Sequence, residues 1–224
     1  MRIINKAKYY ISKSQREKDF ANILSSIDIE KFKFYLEKYK NSSPYPGYSK
    51  YLNIEEWFED KLWEVYRLGL NKSSKLDILD IGTGAGYFPY ICNYYGHNTM
   101  ALDLNTTQMY NDIIKFLNIN RKVHEIKSFE KLPNLGKKFD LVTAFAICFN
   151  NHETSGLWNV NEWHFFLGDL VNNHLKENGK IYLVLNPEKD NKYYDSKLLN
   201  FFIEYGAKVD RSRVFFKDMK FFKD

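Results

Sequence analysis

At 224 residues with 44% apolar composition, the chain is long enough to bury the core of one α/β domain with an appended segment. No window approaches the apolar length that a bilayer span requires, and the start M-R-I-I-N-K-A-K-Y-Y-I-S-K lacks the continuous apolar core of a signal peptide. The expectation is a soluble, cytoplasmic protein with no membrane partner. The net charge of +5 is carried by lysines scattered among Asp and Glu, which reads as a solvated surface rather than a nucleic-acid footprint. The two cysteines, Cys92 and Cys148, with no C-x-x-C or H-x-x-x-H spacing, argue against a disulfide framework and a structural zinc, so no metal is expected.

Residues 1–70 show helical periodicity without βα alternation and read as an N-terminal helical cap, with residues 71–224 as a second domain. Phe20, Ile23, Leu24 and Ile27 predict a helix over 15–27. Phe32, Tyr35, Leu36 and Tyr39 predict another over 29–39, ended by Ser42-Ser43-Pro44-Tyr45-Pro46-Gly47 as a loop. A third helix is capped by Asn53 with Glu56 reaching back; it buries Ile54, Trp57, Phe58, Leu62, Val65 and Tyr66 and closes at Gly69.

From Leu76 strands and helices alternate. The strand ending at Ile81 leads into a helix that stops at Gly96, with Pro89 in its first turn. A second strand is expected at 99–102, a helix at 107–117 capped by Asn105 or Thr106, a third strand at about 123–128, and a fourth at 139–147. A helix capped by Asn159, with Glu162 at its third position, follows. The turn Glu177-Asn178-Gly179 then precedes a fifth strand at 180–186. A helix over about 195–205 ends at Gly206, and 207–210 with 213–216 make a terminal antiparallel pair. This order predicts a Rossmann-like, doubly wound α/β fold: a mostly parallel seven-stranded sheet with an antiparallel terminal strand and an N-terminal helical extension. Ligands of such sheets sit at the carboxyl ends of the strands.

The segment L-D-I-L-D-I-G-T-G-A-G-Y-F-P-Y sets a glycine-rich turn between a buried strand and a helix. Gly82, Gly84 and Gly86 allow positive φ and let a ligand approach the backbone. A dinucleotide G-x-G-x-x-G would place its third glycine where Tyr87 stands. Asp103 ends the second strand about twenty residues past the turn, the spacing at which a carboxylate accepts hydrogen bonds from ribose hydroxyls. The G-x-G-x-G turn after Asp80 resembles the first motif of the class I S-adenosylmethionine-dependent methyltransferases. Asp80, the glycines, Asp103, Phe129 and the strand F-D-L-V follow the order of that family over residues 76–186. The segments Y-P-G-Y-S-K-Y-L-N and A-I-C-F-N-N-H look similar to a poorly characterised bacterial branch of it.

The resemblance implies S-adenosylmethionine as cofactor and S-adenosylhomocysteine as product. It places Asp80, Gly82, Thr83, Gly84, Gly86, Asp103 and Leu104 around the methionine and ribose, Phe129 against the adenine, and Phe145 beside the methionine part. Ser128 stands where that family often has an acid for the adenine amino group, so a hydroxyl or backbone group is expected to make that contact.

Methyl transfer asks the protein to align reactants and, where needed, to remove a proton from the acceptor. In the loop Cys148-Phe149-Asn150-Asn151-His152-Glu153, His152 is the candidate base and Glu153 its orienting partner. Asn150 and Asn151 either bind acceptor hydroxyls or shape the turn, and Tyr48 and Tyr51 are candidate acceptor contacts in an irregular segment. The expected function is methylation of a small molecule, with a sugar or metabolite hydroxyl as acceptor. An RNA or DNA methyltransferase is the first alternative. Its amino-methylating forms carry Asp/Asn-Pro-Pro-aromatic after the fourth strand, where this chain has Phe145-Ala146-Ile147-Cys148, while Asn186-Pro187-Glu188 follows the fifth. Cys148, without a preceding proline, reads as a small buried cysteine. An NAD-dependent oxidoreductase, disfavoured by Tyr87, or a noncatalytic nucleotide-binding module is the alternative of another class.

Overall fold

The computed structural model describes residues 2–40 and 48–217; the loop expected at 42–47, including Tyr45, lies outside the described residues. No helix among the described residues is long and apolar enough to cross a membrane. The chain divides into two compact units. One comprises Met1–Ser74, Ala85–Gly96 and Thr107–Ile119, and the other Lys75–Gly84, His97–Thr106 and Asn120–Asp224.

The first unit is helical: α1 (Arg2–Ser25), α2 (Ile29–Lys40), α3 (Ile54–Leu68), α4 (Tyr87–Tyr94) and α5 (Gln108–Phe116). Asn53 caps α3 by accepting from the Glu56 backbone N–H. Glu56 returns to the Asn53 side-chain amide, and Gly69 ends the helix at φ 72°. The cap of α5 is Thr107, through backbone geometry alone, and not Asn105 or Thr106. Asp19 of α1 accepts from the hydroxyls of Tyr66 on α3 and Tyr95 just past α4. Burial alone would raise the Asp19 carboxyl, but bonds from Tyr95, Tyr66 and Gln15 bring it below the ordinary range, while burial and Asp19 push Tyr66 up to about 12. Phe58 of α3 packs on Tyr87 and Tyr90 of α4, and Lys38 and Tyr39 of α2 both bind Asp112 of α5.

The second unit is a seven-stranded sheet in the order β3-β2-β1-β4-β5-β7-β6. Its strands are β1 (Asp77–Ile81), β2 (Asn98–Asp103), β3 (Arg121–Val123), β4 (Phe139–Ile147), β5 (Leu175–Leu185), β6 (Ala207–Asp210) and β7 (Arg213–Phe216). The first five run parallel to one another, and β7 pairs antiparallel with both β5 and β6. The fold is Rossmann-like α/β, as the alternation of elements predicts. Helices α6 (Val160–Asp169) and α7 (Ser196–Glu204) bring Trp163, Phe166, Leu167 and Phe202 onto Leu79, Ile81, Val142, Ala144, Ile181 and Leu183 of the sheet. The Asn159–Glu162 capping box opens α6, and Asp195 caps α7.

Two strand expectations change. β3 is three residues long and residues 124–138 are irregular, because this edge strand has one neighbour and the chain ahead turns through Phe129 at φ 58° and Gly136 at φ 75°. The triplet Glu177-Asn178-Gly179 is not a turn before β5 but part of it. A Cβ at Gly179 would stand 3.0 Å from the Phe139 carbonyl, so that glycine serves a close backbone approach at a register shift with β4.

β1 lies between β2 and β4: the chain runs outward through β2 and β3, then crosses back to the other side of β1 for β4. Strand order reverses there, which opens a crevice at the carboxyl ends of β1 and β4 where ligands of open α/β sheets bind.

Candidate functional site

The glycine turn leaves β1 at this switch point. Gly82 and Gly84 hold φ 67° and 57°, and a Cβ at Gly82 would meet nothing within 4 Å, so open space borders the backbone. Asp80, buried beneath the turn, accepts from Thr83 Oγ1 and from Thr143 Oγ1 of β4, both at 2.7 Å. Its role in the free protein is to fix the turn against the paired strand, and Thr143 is a partner that no motif in the sequence singles out.

Asp103, at the end of β2, accepts from the Gly84 N–H through Oδ2 and from the Leu104 N–H through Oδ1, each at 2.7 Å. Burial pushes its carboxyl above the ordinary range, against the two backbone bonds and the Arg121 charge, which pull it down. Each oxygen keeps a second lone pair for a ligand donor. Beyond the ends of β2 and β3, Leu104 is 42% and Phe129 55% exposed, apolar surfaces offered to solvent. Phe129 meets Phe165 edge-on at 5.8 Å, Ser128 is exposed, and Phe145 is half-buried against Tyr182.

Gly86, the third glycine, belongs to the helical unit as the N-cap of α4. At φ 79°, a Cβ there would lie 3.1 Å from Ile119 and 3.3 Å from Ile114, so packing as well as backbone demands glycine. Tyr48 and Tyr51 are also in the helical unit. Both rings contact Tyr110, and Tyr51 lies 4.6 Å from Trp57, with its carbonyl accepting from the Tyr87 hydroxyl.

On the β4 side, Ala146 adopts φ 54° where the pairing with β5 shifts register between Phe145 and Ile147. The loop that follows is tied down by residues beyond β5. Asn186 donates to the Ile147 carbonyl at 3.2 Å, and Glu188 accepts from the Glu153 N–H at 2.7 Å. His152 Nδ1 is 2.9 Å from Glu188 Oε1, whereas Glu153 Oε1 is 3.8 Å from Nε2. The orienting contact expected from Glu153 is therefore made by Glu188. Asn151 at φ 58° donates to the Gly156 carbonyl and shapes the turn, while Asn150 is buried, its backbone carbonyl accepting from the Trp158 backbone N–H. Cys148 is exposed rather than buried, because the register shift carries it out of the strand. Partial burial of its sulfur and the nearby Glu153 and Glu188 push the thiol up, against the Asn186 amide.

No family model matches the chain, and none of the curated proteins matches it. Among solved structures it is similar to the glycopeptide N-methyltransferase MtfA, at 18% identity over 59% of this chain and 54% of that one, with a TM-score of 0.42. An O-methyltransferase family protein from Burkholderia thailandensis aligns at 10% identity over 93% of this chain and 69% of that one, TM-score 0.49. A SAM dependent methyltransferase from Aquifex aeolicus aligns at 17% identity over 70% and 88%, TM-score 0.48. All three are methyltransferases by name, and MtfA has been solved with S-adenosyl-L-methionine and with sinefungin. The chain spans about half the length of the MtfA structures it matches. Each likeness lies below a TM-score of 0.5, and the fold assignment rests on the strand order.

Proposed function

We propose that the chain is a class I S-adenosylmethionine-dependent methyltransferase acting on a small molecule, with a sugar or other metabolite hydroxyl as acceptor and S-adenosylhomocysteine as product. The observation that carries this reading is the pairing of the glycine turn with Asp103 at the switch point, where one carboxylate holds Gly84 and keeps lone pairs for two ribose hydroxyls. The residues present fit the cofactor. Open space beside Gly82 admits a ligand to the backbone, exposed Leu104 and Phe129 offer apolar faces to a purine, Ser128 offers a hydroxyl to its edge, and Phe145 lies near the end of β4.

When bound, the cofactor supplies a methyl group already activated by a sulfonium, so the protein's work is to bind, orient and manage one proton. Asp80 acts through the turn it fixes. His152, in the loop between β4 and α6, is the base. Titration calorimetry with S-adenosylmethionine against NAD tests the cofactor. Binding of NAD with no response to S-adenosylmethionine rejects the reading. His152→Ala is expected to lower turnover by about 10²- to 10⁴-fold while sparing cofactor affinity; an unchanged rate across pH removes the base assignment.

A further inference from the structure

Glu188 follows β5 and is 36 residues from His152 in sequence, yet its carboxylate organises the loop that carries the histidine. Oε1 lies 2.9 Å from His152 Nδ1, and Oε2 accepts from the Glu153 backbone N–H at 2.7 Å. Its own main chain closes a tight turn, with the Glu188 N–H donating to Lys192 and the Asn191 N–H donating to Glu188. The carboxylate is thus placed by local structure before it meets the ring. Both side chains are largely buried, at 16% exposure for His152 and 17% for Glu188, which strengthens the bond between them.

An ionised carboxylate can only accept, so the proton of the neutral ring must sit on Nδ1 and the lone pair on Nε2. This is the tautomer that an unconstrained histidine disfavours. Among the described residues, the acidic oxygen facing Nε2 is Glu153 Oε1 at 3.8 Å, beyond hydrogen-bond length, which leaves the lone pair open to an incoming donor.

Building on the methyl-transfer reading, the geometry points to Glu188 as the positioning residue of a histidine base, and to a hydroxyl as the group this site methylates. An amine can shed its proton to solvent before it reacts. A hydroxyl gives up its proton only as the new bond forms, so it needs a base already held in the correct tautomer. As the oxygen bonds to the methyl carbon, the carbon–sulfur bond breaks with its electron pair to sulfur and the hydroxyl proton passes to Nε2. The resulting imidazolium is balanced by Glu188 at Nδ1 and by Glu153 beyond Nε2.

The test that needs no cofactor is nitrogen-15 NMR of the neutral His152 ring, assigned by loss of the signals in His152→Ala. The wild type should show a protonated Nδ1 and a lone-pair Nε2. In Glu188→Gln, one amide oxygen cannot serve both donors and the ring should drift toward Nε2–H, while Glu188→Asp should retain part of the wild-type signature. A wild-type ring protonated on Nε2 overturns the assignment, whether or not the variants fold.

The acceptor class is read separately, with labelled S-adenosylmethionine and a matched pair of sugars differing only in hydroxyl against amine. Transfer to the hydroxyl, falling by roughly 10- to 100-fold in Glu188→Gln with KM within about twofold, supports the inference. Transfer to the amine alone overturns it. Failure to bind S-adenosylmethionine at all would instead sink the methyltransferase reading and leave the tautomer result standing.

Discussion

Replacing Asp103 with alanine separates what this carboxylate does for the turn from what it does for the cofactor. In the free protein each oxygen accepts one backbone N–H at 2.7 Å, from Gly84 and from Leu104. Alanine strands both donors, but neither residue is fully buried, so water takes up part of the loss and stability should fall by about 1 to 2 kcal/mol. On the cofactor side, hydrogen bonds from ribose hydroxyls to the remaining lone pairs are worth about 1 to 3 kcal/mol net, equivalent to about 5- to 150-fold in Kd. Calorimetry with S-adenosylhomocysteine measures this without turnover.

A double cycle with an analogue lacking the 2′-hydroxyl then isolates the bond itself: removing the hydroxyl should weaken binding to the wild type and make little difference to Asp103→Ala. Equal weakening in both proteins refutes the contact. So does a variant that melts lower yet binds within about twofold of wild type, since Asp103 would then serve the turn alone. The pH dependence has a definite sign. Burial raises the Asp103 carboxyl, so acidification protonates it earlier than an ordinary aspartate, and affinity should start to fall at a pH above the ordinary carboxylate range.

The glycines of the turn should differ in cost. Gly82→Ala meets open space and carries only the left-handed penalty of about 1 to 2 kcal/mol, whereas Gly86→Ala adds about 1 to 3 kcal/mol of overpacking against Ile114 and Ile119. Thermal melts should rank Gly86→Ala well below Gly82→Ala, and a reversed order would contradict the packing. At the opposite end of the sheet, hydrogen bonds from Lys137 and Lys176 hold Asp77 well below the usual carboxylate range despite some burial. A lowered folded value means that stability is present above the unfolded value of about 3.9 and is lost as pH falls through the folded one. The melting difference between wild type and Asp77→Asn should therefore be full at pH 7 and shrink below about pH 4; a constant difference would show that the ion pairs contribute nothing.

Elements that carry their own signal were legible in the sequence. β4 occupies 139–147 as expected because only Asp140 and Thr143 break its apolar run, and the Asn159–Glu162 capping box marks the start of α6 by local chemistry. The glycine turn and Asp103 were legible for the same reason: a strand end, glycines at spacing two and an acid at the next strand end are local features. β3 was expected at 123–128 but lies at Arg121–Val123, because a single sequence does not say where an edge strand meets its one neighbour. Gly179 was misread as a turn because a glycine required by a close-passing backbone looks the same as one required by positive φ. Glu188 was not singled out because the hydrogen bonds that bring it to His152 and Glu153 span two adjacent strand ends, a relation fixed by tertiary structure and by no spacing along the chain.

The register shift in β4 connects these observations. Val142 and Ala144 face the core under α6 and α7, so strict alternation would send residue 146 to that face, yet Ile147 is the one buried there and Ala146 is exposed. One residue at φ 54° inverts the phase of the strand just past the last residue paired with β1, and everything after it emerges rotated: Cys148 into solvent, His152 toward Glu188. Ala146, Asn151 and Glu153 all hold positive φ, and non-glycine residues in such conformations cost of order 1 to 3 kcal/mol each. They persist here because the Asn186 amide and the Glu188 carboxylate restrain the loop from β5. A loop whose only task was to join β4 to α6 would have no need of that restraint. On the proposed methyl-transfer reading, the same restraint keeps the His152 ring against Glu188 Oε1, where a base displaced by an ångström would lose much of its effect.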